Sequence, residues 1–190
     1  MRTNGVNGPS DWSEVRSFTS ANPPSVPVLL LPANGAITSD YTSTLNWSDS
    51  TVPAGTTLDH YQLQVATDSA FTAIVIDENI PGLTQSTFTP AADLNSNTRY
   101  YWRVRAFNAA EQYCLWSAAR YFRTVPLTPV LLTPDDGATL STLRPVFNWE
   151  DVSGVPGYTI HISRNNAFTS LVVNVNVTPS AYTPSVFPIT

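Results

Sequence analysis

Two stretches of this chain are near copies of one another, about one small domain apart. Val28-Leu29-Leu30-Leu31-Pro32-Ala33-Asn34-Gly35-Ala36 returns as Val130-Leu131-Leu132-Thr133-Pro134-Asp135-Asp136-Gly137-Ala138, an offset of 102. Leu45-Asn46-Trp47-Ser48-Asp49 returns at the same offset as Phe147-Asn148-Trp149-Glu150-Asp151. Tyr61-Gln62-Leu63-Gln64-Val65 and Ala70-Phe71-Thr72 return as Tyr158-Thr159-Ile160-His161-Ile162 and Ala167-Phe168-Thr169 at an offset of 97, so one loop is five residues shorter. Thr87-Phe88-Thr89-Pro90 pairs with Ala181-Tyr182-Thr183-Pro184, and Trp12-Ser13 with Phe18 foreshadows Trp116-Ser117 with Phe122. Self-similarity at a fixed period marks serial structural units. The expected organisation is the last strand or strands of one unit over 1–20, a complete unit over 21–124, and the N-terminal part of a third over 125–190, lacking its last two strands. Short Pro-bearing linkers are expected at 20–25 and 125–128.

The composition says what each unit is built from. Charged residues make up 12% of the 190, Lys is absent, and Thr (24), Ser (19) and Pro (16) are abundant. That balance favours short strands and turns over helices. Period-2 alternation places strands near 27–31, 42–47, 60–66, 72–77, 86–89, 99–107 and 117–123. Tyr100, Trp102, Val104 and Ala106 share one face of their strand; Tyr101, Arg103 and Arg105 share the other. Asn34-Gly35 and Asp136-Gly137 supply tight turns. The expected fold is all-β: two packed sheets made of seven antiparallel strands.

The complete unit resembles a bacterial fibronectin type III domain, and the likeness runs through nearly all of residues 22–190. Its markers are Trp47 and Trp149 ending the second strand, Tyr61 and Tyr158 opening the third, and Tyr100-x-Trp102-x-Val104-x-Ala106 in the penultimate strand. Leu94 followed by Tyr100 is similar to the family's tyrosine corner, in which the phenol bonds back to the backbone. The resemblance implies tandem seven-stranded sandwiches with Trp47, Tyr61, Tyr100, Trp102, Trp149 and Tyr158 as core plugs. It also implies a bacterial extracellular or cell-surface setting, which a single cysteine suits. Trp116-Ser117 beside Arg103 and Arg105 resembles the Trp-Ser element of class I cytokine receptors, where guanidinium groups stack on indole. The implied role is a ladder stiffening the last strands, and Trp12 near Arg16 is expected to repeat it.

Little else carries chemistry. The net charge of −5 gives no general footprint for nucleic acid. No apolar run reaches the roughly 18–20 residues that span a bilayer, and the N-terminus shows no signal-peptide h-region. Asp135-Asp136, Asp77-Glu78 and Asp49 lack the converging oxygens calcium needs. His60 and His161 have no partner ligand at metal spacing. Cys114 has no base nearby to make it a nucleophile. No catalytic, cofactor or metal site is therefore expected, and no cofactor. Asn46-Trp47-Ser48 and Asn176-Val177-Thr178 fit the glycan acceptor pattern. The long loops 48–59 and 108–115 are expected at one end of the sandwich, with Tyr113 and Leu115 as an exposed anchor for a protein or polysaccharide ligand.

These readings point to a non-enzymatic structural or adhesive module of an extracellular protein, forming a rod or fibre of sandwich repeats. Neighbouring repeats or copies, meeting at open strand edges, are the expected partners. Two sources of such an edge stay open: an excerpt of a longer array, or a subunit completed head-to-tail by a neighbouring chain. The alternative function is an accessory module of a secreted carbohydrate-active enzyme, binding or spacing near a polysaccharide.

Overall fold

A computed structural model describes residues 1–18, 21–81 and 85–185. The described residues hold fifteen strands and no helix. β1 (Asn4–Gly5) and β2 (Gly8–Pro9) form a small exposed hairpin. The next eight strands are β3 (Leu29–Leu31), β4 (Ala36–Thr38), β5 (Leu45–Trp47), β6 (Leu58–Ala66), β7 (Ile74–Pro81), β8 (Thr87–Phe88), β9 (Arg99–Asn108) and β10 (Arg120–Thr124). They make a three-stranded sheet, β3-β5-β8, and a five-stranded sheet, β4-β10-β9-β6-β7. The sheets face each other across one core. β11 (Leu131–Thr133), β12 (Phe147–Trp149) and β15 (Ala181–Tyr182) form a second three-stranded sheet, and β13 (Tyr158–Ser163) pairs with β14 (Leu171–Val177).

Residues 29–124 thus hold eight strands where alternation predicts seven. The extra one is β4, which runs parallel to β10 in the register Ala36↔Phe122 and Thr38↔Thr124. Three residues just after the Asn34-Gly35 turn show no alternation of their own, so only the distant partner defines them as a strand. The fourth expected strand also moves, from 72–77 to 74–81. Asp68 explains the shift: its carboxylate accepts hydrogen bonds from the N–H groups of Ala70, Thr72 and Ala73. That caps a turn in which Phe71 takes a positive φ of 57° and delays the strand.

The core follows from parity. Along β9 the side chains of Tyr100, Trp102, Val104 and Ala106 are buried while those between them reach toward solvent. They meet Leu29, Leu45, Trp47, Tyr61, Leu63, Val65 and Phe122 in one cluster. Trp47 lies edge-on to Tyr61 at 5.4 Å and 72°, bridging the two sheets. The Tyr61 hydroxyl then accepts the Ser50 N–H at 2.8 Å. Trp149 meets Tyr158 in the same way, at 5.3 Å and 71°, and the Tyr158 hydroxyl accepts the Val152 N–H, again at 2.8 Å. At the other end of the sandwich, the Tyr100 hydroxyl accepts the Asn95 N–H at 2.9 Å.

Removing the Tyr61 hydroxyl strands a buried amide donor, which costs about 1–3 kcal/mol. Tyr61→Phe is therefore expected to lower the urea midpoint of the 29–124 sandwich by about 1 M with an unchanged slope; an unmoved midpoint would remove this hydroxyl from the account. The Ala73 N–H above all, supported by Thr72 and Ala70, holds the Asp68 carboxyl below its ordinary pKa, outweighing the desolvation that pushes it the other way. A depressed carboxyl stabilises the fold above the unfolded-chain value of about 4 and loses that support as pH falls through its folded value. Asp68→Asn should flatten this part of the acid limb in pH-dependent unfolding.

Candidate functional site

The solvent face of the five-stranded sheet gathers a cluster of arginines and aromatic rings. Register does the gathering. Antiparallel pairing puts Arg105 opposite Gln62 and Arg103 opposite Gln64, with Asp77 opposite Gln64 on the far side. The Gln64 Oε1 accepts from Nε and Nη2 of Arg103 at 3.0 and 2.7 Å. The Gln62 Oε1 takes Arg105 in the same fork at 2.9 and 2.7 Å. Both glutamine amides then donate to Asp77, at 2.7 and 2.9 Å. One carboxylate thus orients two guanidinium groups through two amides.

The faces of these guanidinium groups are covered too. Arg103 lies 4.3 Å and Arg105 4.5 Å from the Trp116 ring centroid. Arg103 also sits 4.0 Å from Phe71, and Arg105 4.4 Å from Tyr113. One indole thus takes both of the like charges that β9 holds two residues apart. Burial, then the neighbouring Arg105, lowers the Arg103 pKa, although an arginine stays charged under such shifts. Next to Trp116, the Ser117 hydroxyl accepts the Val104 N–H. One donor edge of each guanidinium is held by a glutamine and its face by a ring, so the face works as a brace. Trp12, the expected second copy, is exposed and carries Arg2 at 4.9 Å rather than Arg16.

Beside the ladder, Phe107 stacks on His60 at 4.3 Å and touches Tyr113 at 5.2 Å. Ala109 N–H donates to Thr57 O, tying the loop after β9 to the loop before β6. Tyr113 thus leans on the sheet yet stays 55% exposed, and Leu115 beyond it is 82% exposed. Cys114 is buried, and its Sγ accepts the Ala106 N–H at 3.2 Å. Asn108 anchors this end: fully buried, it donates to Asn22 O and accepts from the N–H groups of Ala110 and Gln112. Alternation alone does not single out Asn108, Gln62 or Gln64; their positions at the end of β9 and opposite the arginines are the available signal.

The other expected sites lie apart. Trp47, Tyr61, Tyr100, Trp102 and Trp149 are buried, whereas Tyr158 is half-buried, its strand pairing among the described residues only with β14. Asn46 is half-buried and donates weakly to Ser86 O, and Asn176 is exposed and accepts from the Thr159 hydroxyl. No group of three or more His, Cys, Asp or Glu among the described residues is placed to hold a metal ion. No helix among them is long and apolar enough to cross a membrane. An apolar groove of about 700 Å³ opens between β13 and the β11-β12-β15 sheet, lined by Leu131, Phe147, Trp149, Tyr158, Ile160 and Ile162.

Two cation–π contacts on one indole are worth about 0.5–1 kcal/mol each. A double-mutant cycle pairing Arg103→Ala with Trp116→Ala should therefore return a coupling of about 0.5–1 kcal/mol in thermal unfolding. A cycle that closes at zero would mean the stack contributes nothing.

Several solved structures are similar to this chain. An α-L-rhamnosidase from Dictyoglumus thermophilum aligns with 63% of the chain at 14% identity and a TM-score of 0.44, and the aligned part spans 16% of that enzyme. A Fn3-like protein from Clostridium thermocellum aligns with 55% of the chain at 21% identity and a TM-score of 0.36, covering 97% of its own length. The FN1–FN3 domains of chicken CNTN1 align with 96% of the chain at 16% identity and a TM-score of 0.42, with 64% of that chain covered. No curated protein matches the sequence. A family model does: residues 33–128, half of the chain, match the Rha78A-like, N-terminal immunoglobulin domain, and the chain belongs to that family.

Proposed function

We propose that this chain is a non-catalytic spacer, a stiff run of tandem β-sandwich units in an extracellular or cell-surface bacterial protein. The observation that carries the reading is the junction between the 29–124 sandwich and the strands that follow. Main-chain groups there are captured from both sides. The Tyr41 hydroxyl donates to Val125 O and Pro126 O, each at 3.3 Å, and the Asn97 N–H donates to Val125 O at 3.0 Å. The Asn97 side-chain amide reaches across to Gly154 O at 2.7 Å. Asn97 holds a φ of 50°, and Gly154 a φ of 76°. Any side chain in place of Gly154 would begin 3.0 Å from the Asn97 amide nitrogen. Short linkers fixed in this way transmit orientation between units, as a rod requires.

The ladder supports the same reading, because it ties the arginines of β9 to Gln62, Gln64 and Trp116 and so braces the sheet. In this role the partners are neighbouring units of the same thread. A second reading has one specific support, the family's description as the N-terminal domain of Rha78A-like proteins. On that reading the spacer holds a carbohydrate-active domain near its polysaccharide, with the loop end at Tyr113 and Leu115 as the contact.

Small-angle X-ray scattering tests the spacer. The wild-type chain should fit one extended arrangement, and the Tyr41→Phe/Asn97→Gly double variant, in which glycine keeps the positive φ of position 97, should need a broadened ensemble at a nearly unchanged unfolding midpoint for residues 29–124. Coincident scattering curves for the two proteins would refute a stiff junction. Retention of the wild-type chain on a rhamnose-containing polysaccharide column, lost in Tyr113→Ala/Leu115→Ala, would favour the accessory role.

A further inference from the structure

Register concentrates positive charge on one surface of a chain whose net charge is −5. Arg99, Arg103 and Arg105 on β9 with Arg120 and Arg123 on β10 make five of the nine arginines. The first three follow one another along the solvent side of β9, and β10 sets Arg123 directly opposite Arg99. Like charges facing across two strands destabilise a sheet, so the fold carries this row at a cost, and positions that break a local rule in this way are where function is expected. Carboxylates do not neutralise the row. Asp77 reaches Arg103 and Arg105 only through the Gln64 and Gln62 amides. Glu78 stands opposite the core residue Leu63, and Asp59 is taken by His60 at 2.8 Å.

The glutamine forks also decide what is left open. Each Oε1 takes Nε and Nη2 of one arginine. The Nη1–Nη2 edge of each, which can grip a carboxylate with two parallel N–H bonds, makes no hydrogen bond among the described residues. Alternate residues of a strand stand about 6.5 Å apart, so Arg103 and Arg105 present two such edges in line, with Arg99 about 13 Å beyond Arg103. We propose that this row binds a linear polysaccharide bearing carboxylates, a uronate polymer laid along β9. The proposal rests on the accessory reading above and gives it a ligand class. The row adjoins the loop end named there, because Arg105 lies 4.4 Å from the Tyr113 ring, which is 55% exposed. A sheet face suits a sugar polymer better than a peptide. Peptides are taken up at strand edges and in grooves, and here their main-chain N–H and C=O groups would meet no backbone partner. Single-stranded nucleic acid needs ring faces on which to stack its bases, and guanidinium groups already lie on Trp116 and Tyr121.

The test titrates the full chain into a fluorescently labelled oligogalacturonate at low ionic strength and follows anisotropy. Saturable binding is expected, weakening as salt screens the exposed charges. The methyl ester of the same oligosaccharide keeps its rings and loses its charges, and it should bind about tenfold more weakly or worse. This arm needs no change to the protein, so it stands even if an arginine variant unfolds. Arg99→Gln, which leaves both glutamine forks intact, should weaken binding several-fold. Arg105→Lys, which keeps the charge and loses the two-point edge, should weaken it too. Equal binding of acid and ester would overturn the carboxylate assignment while sparing the accessory role. Equal binding of poly-L-glutamate would overturn it by making an acidic peptide as good a ligand. No binding of the acid, with retention on the rhamnose-containing column, would sink this row and leave the accessory reading standing; no binding of any polysaccharide would remove both.

Discussion

The edge-on contact between a tryptophan of one sheet and a tyrosine of the other is the constraint on which the architecture rests. Trp47 and Tyr61 cross the interior at 5.4 Å, and the phenol ends on the Ser50 N–H. That single side chain fixes the spacing of the two layers, the start of β6, and the loop between β5 and β6. Trp149, Tyr158 and Val152 repeat the geometry nearly atom for atom. The indole N–H groups of Trp47 and Trp149 are buried without a protein acceptor, so the ring's volume is what the position demands. Burying a ring of this size contributes enough to outweigh one unpaired donor.

The all-β class was legible because β9 alternates so cleanly, and the two-sheet core was legible because its largest rings recur at fixed offsets. Tyr100 and its bond to the Asn95 N–H also follow from the local pattern. What stayed hidden depends on partners far away in sequence. β4 exists only through parallel pairing with β10, some 86 residues later. Likewise, Gln62 and Gln64 look like ordinary solvent-facing positions until register sets them between two arginines and Asp77. The buried Asn108 has the same character: its partners at Asn22 and Gln112 belong to two different loops. Periodicity reports which face a residue takes; it does not report who stands opposite.

The sheet face shows where the polar groups of this fold are used. Catalytic groups need an unspent donor, acceptor or nucleophile beside an accessible space. Here Arg103 and Arg105 are each held at one edge by glutamine and at one face by Trp116, and the one cysteine is capped by the Ala106 N–H. Those contacts rigidify the sheet. A braced sandwich of this kind matches membership of an immunoglobulin-like domain family, where function lies in what the scaffold positions.

Edge treatment separates the two ends of the chain on physical grounds. β7, the outer strand beside β6, carries Asp77, Glu78 and Pro81, and the other outer strand of that sheet, β4, is three residues long. Charge, proline and brevity are the usual means of keeping an exposed edge from recruiting another strand. β13 has none of them: Tyr158-Thr159-Ile160-His161-Ile162-Ser163 has no fixed charge and no proline, and its apolar residues all point to one side. A sequence selected to stay unpaired would carry at least one guard along those six residues. Along those six residues the strand itself supplies no guard, so among the described residues the exposed β13 edge lacks the protection that β7 and β4 carry.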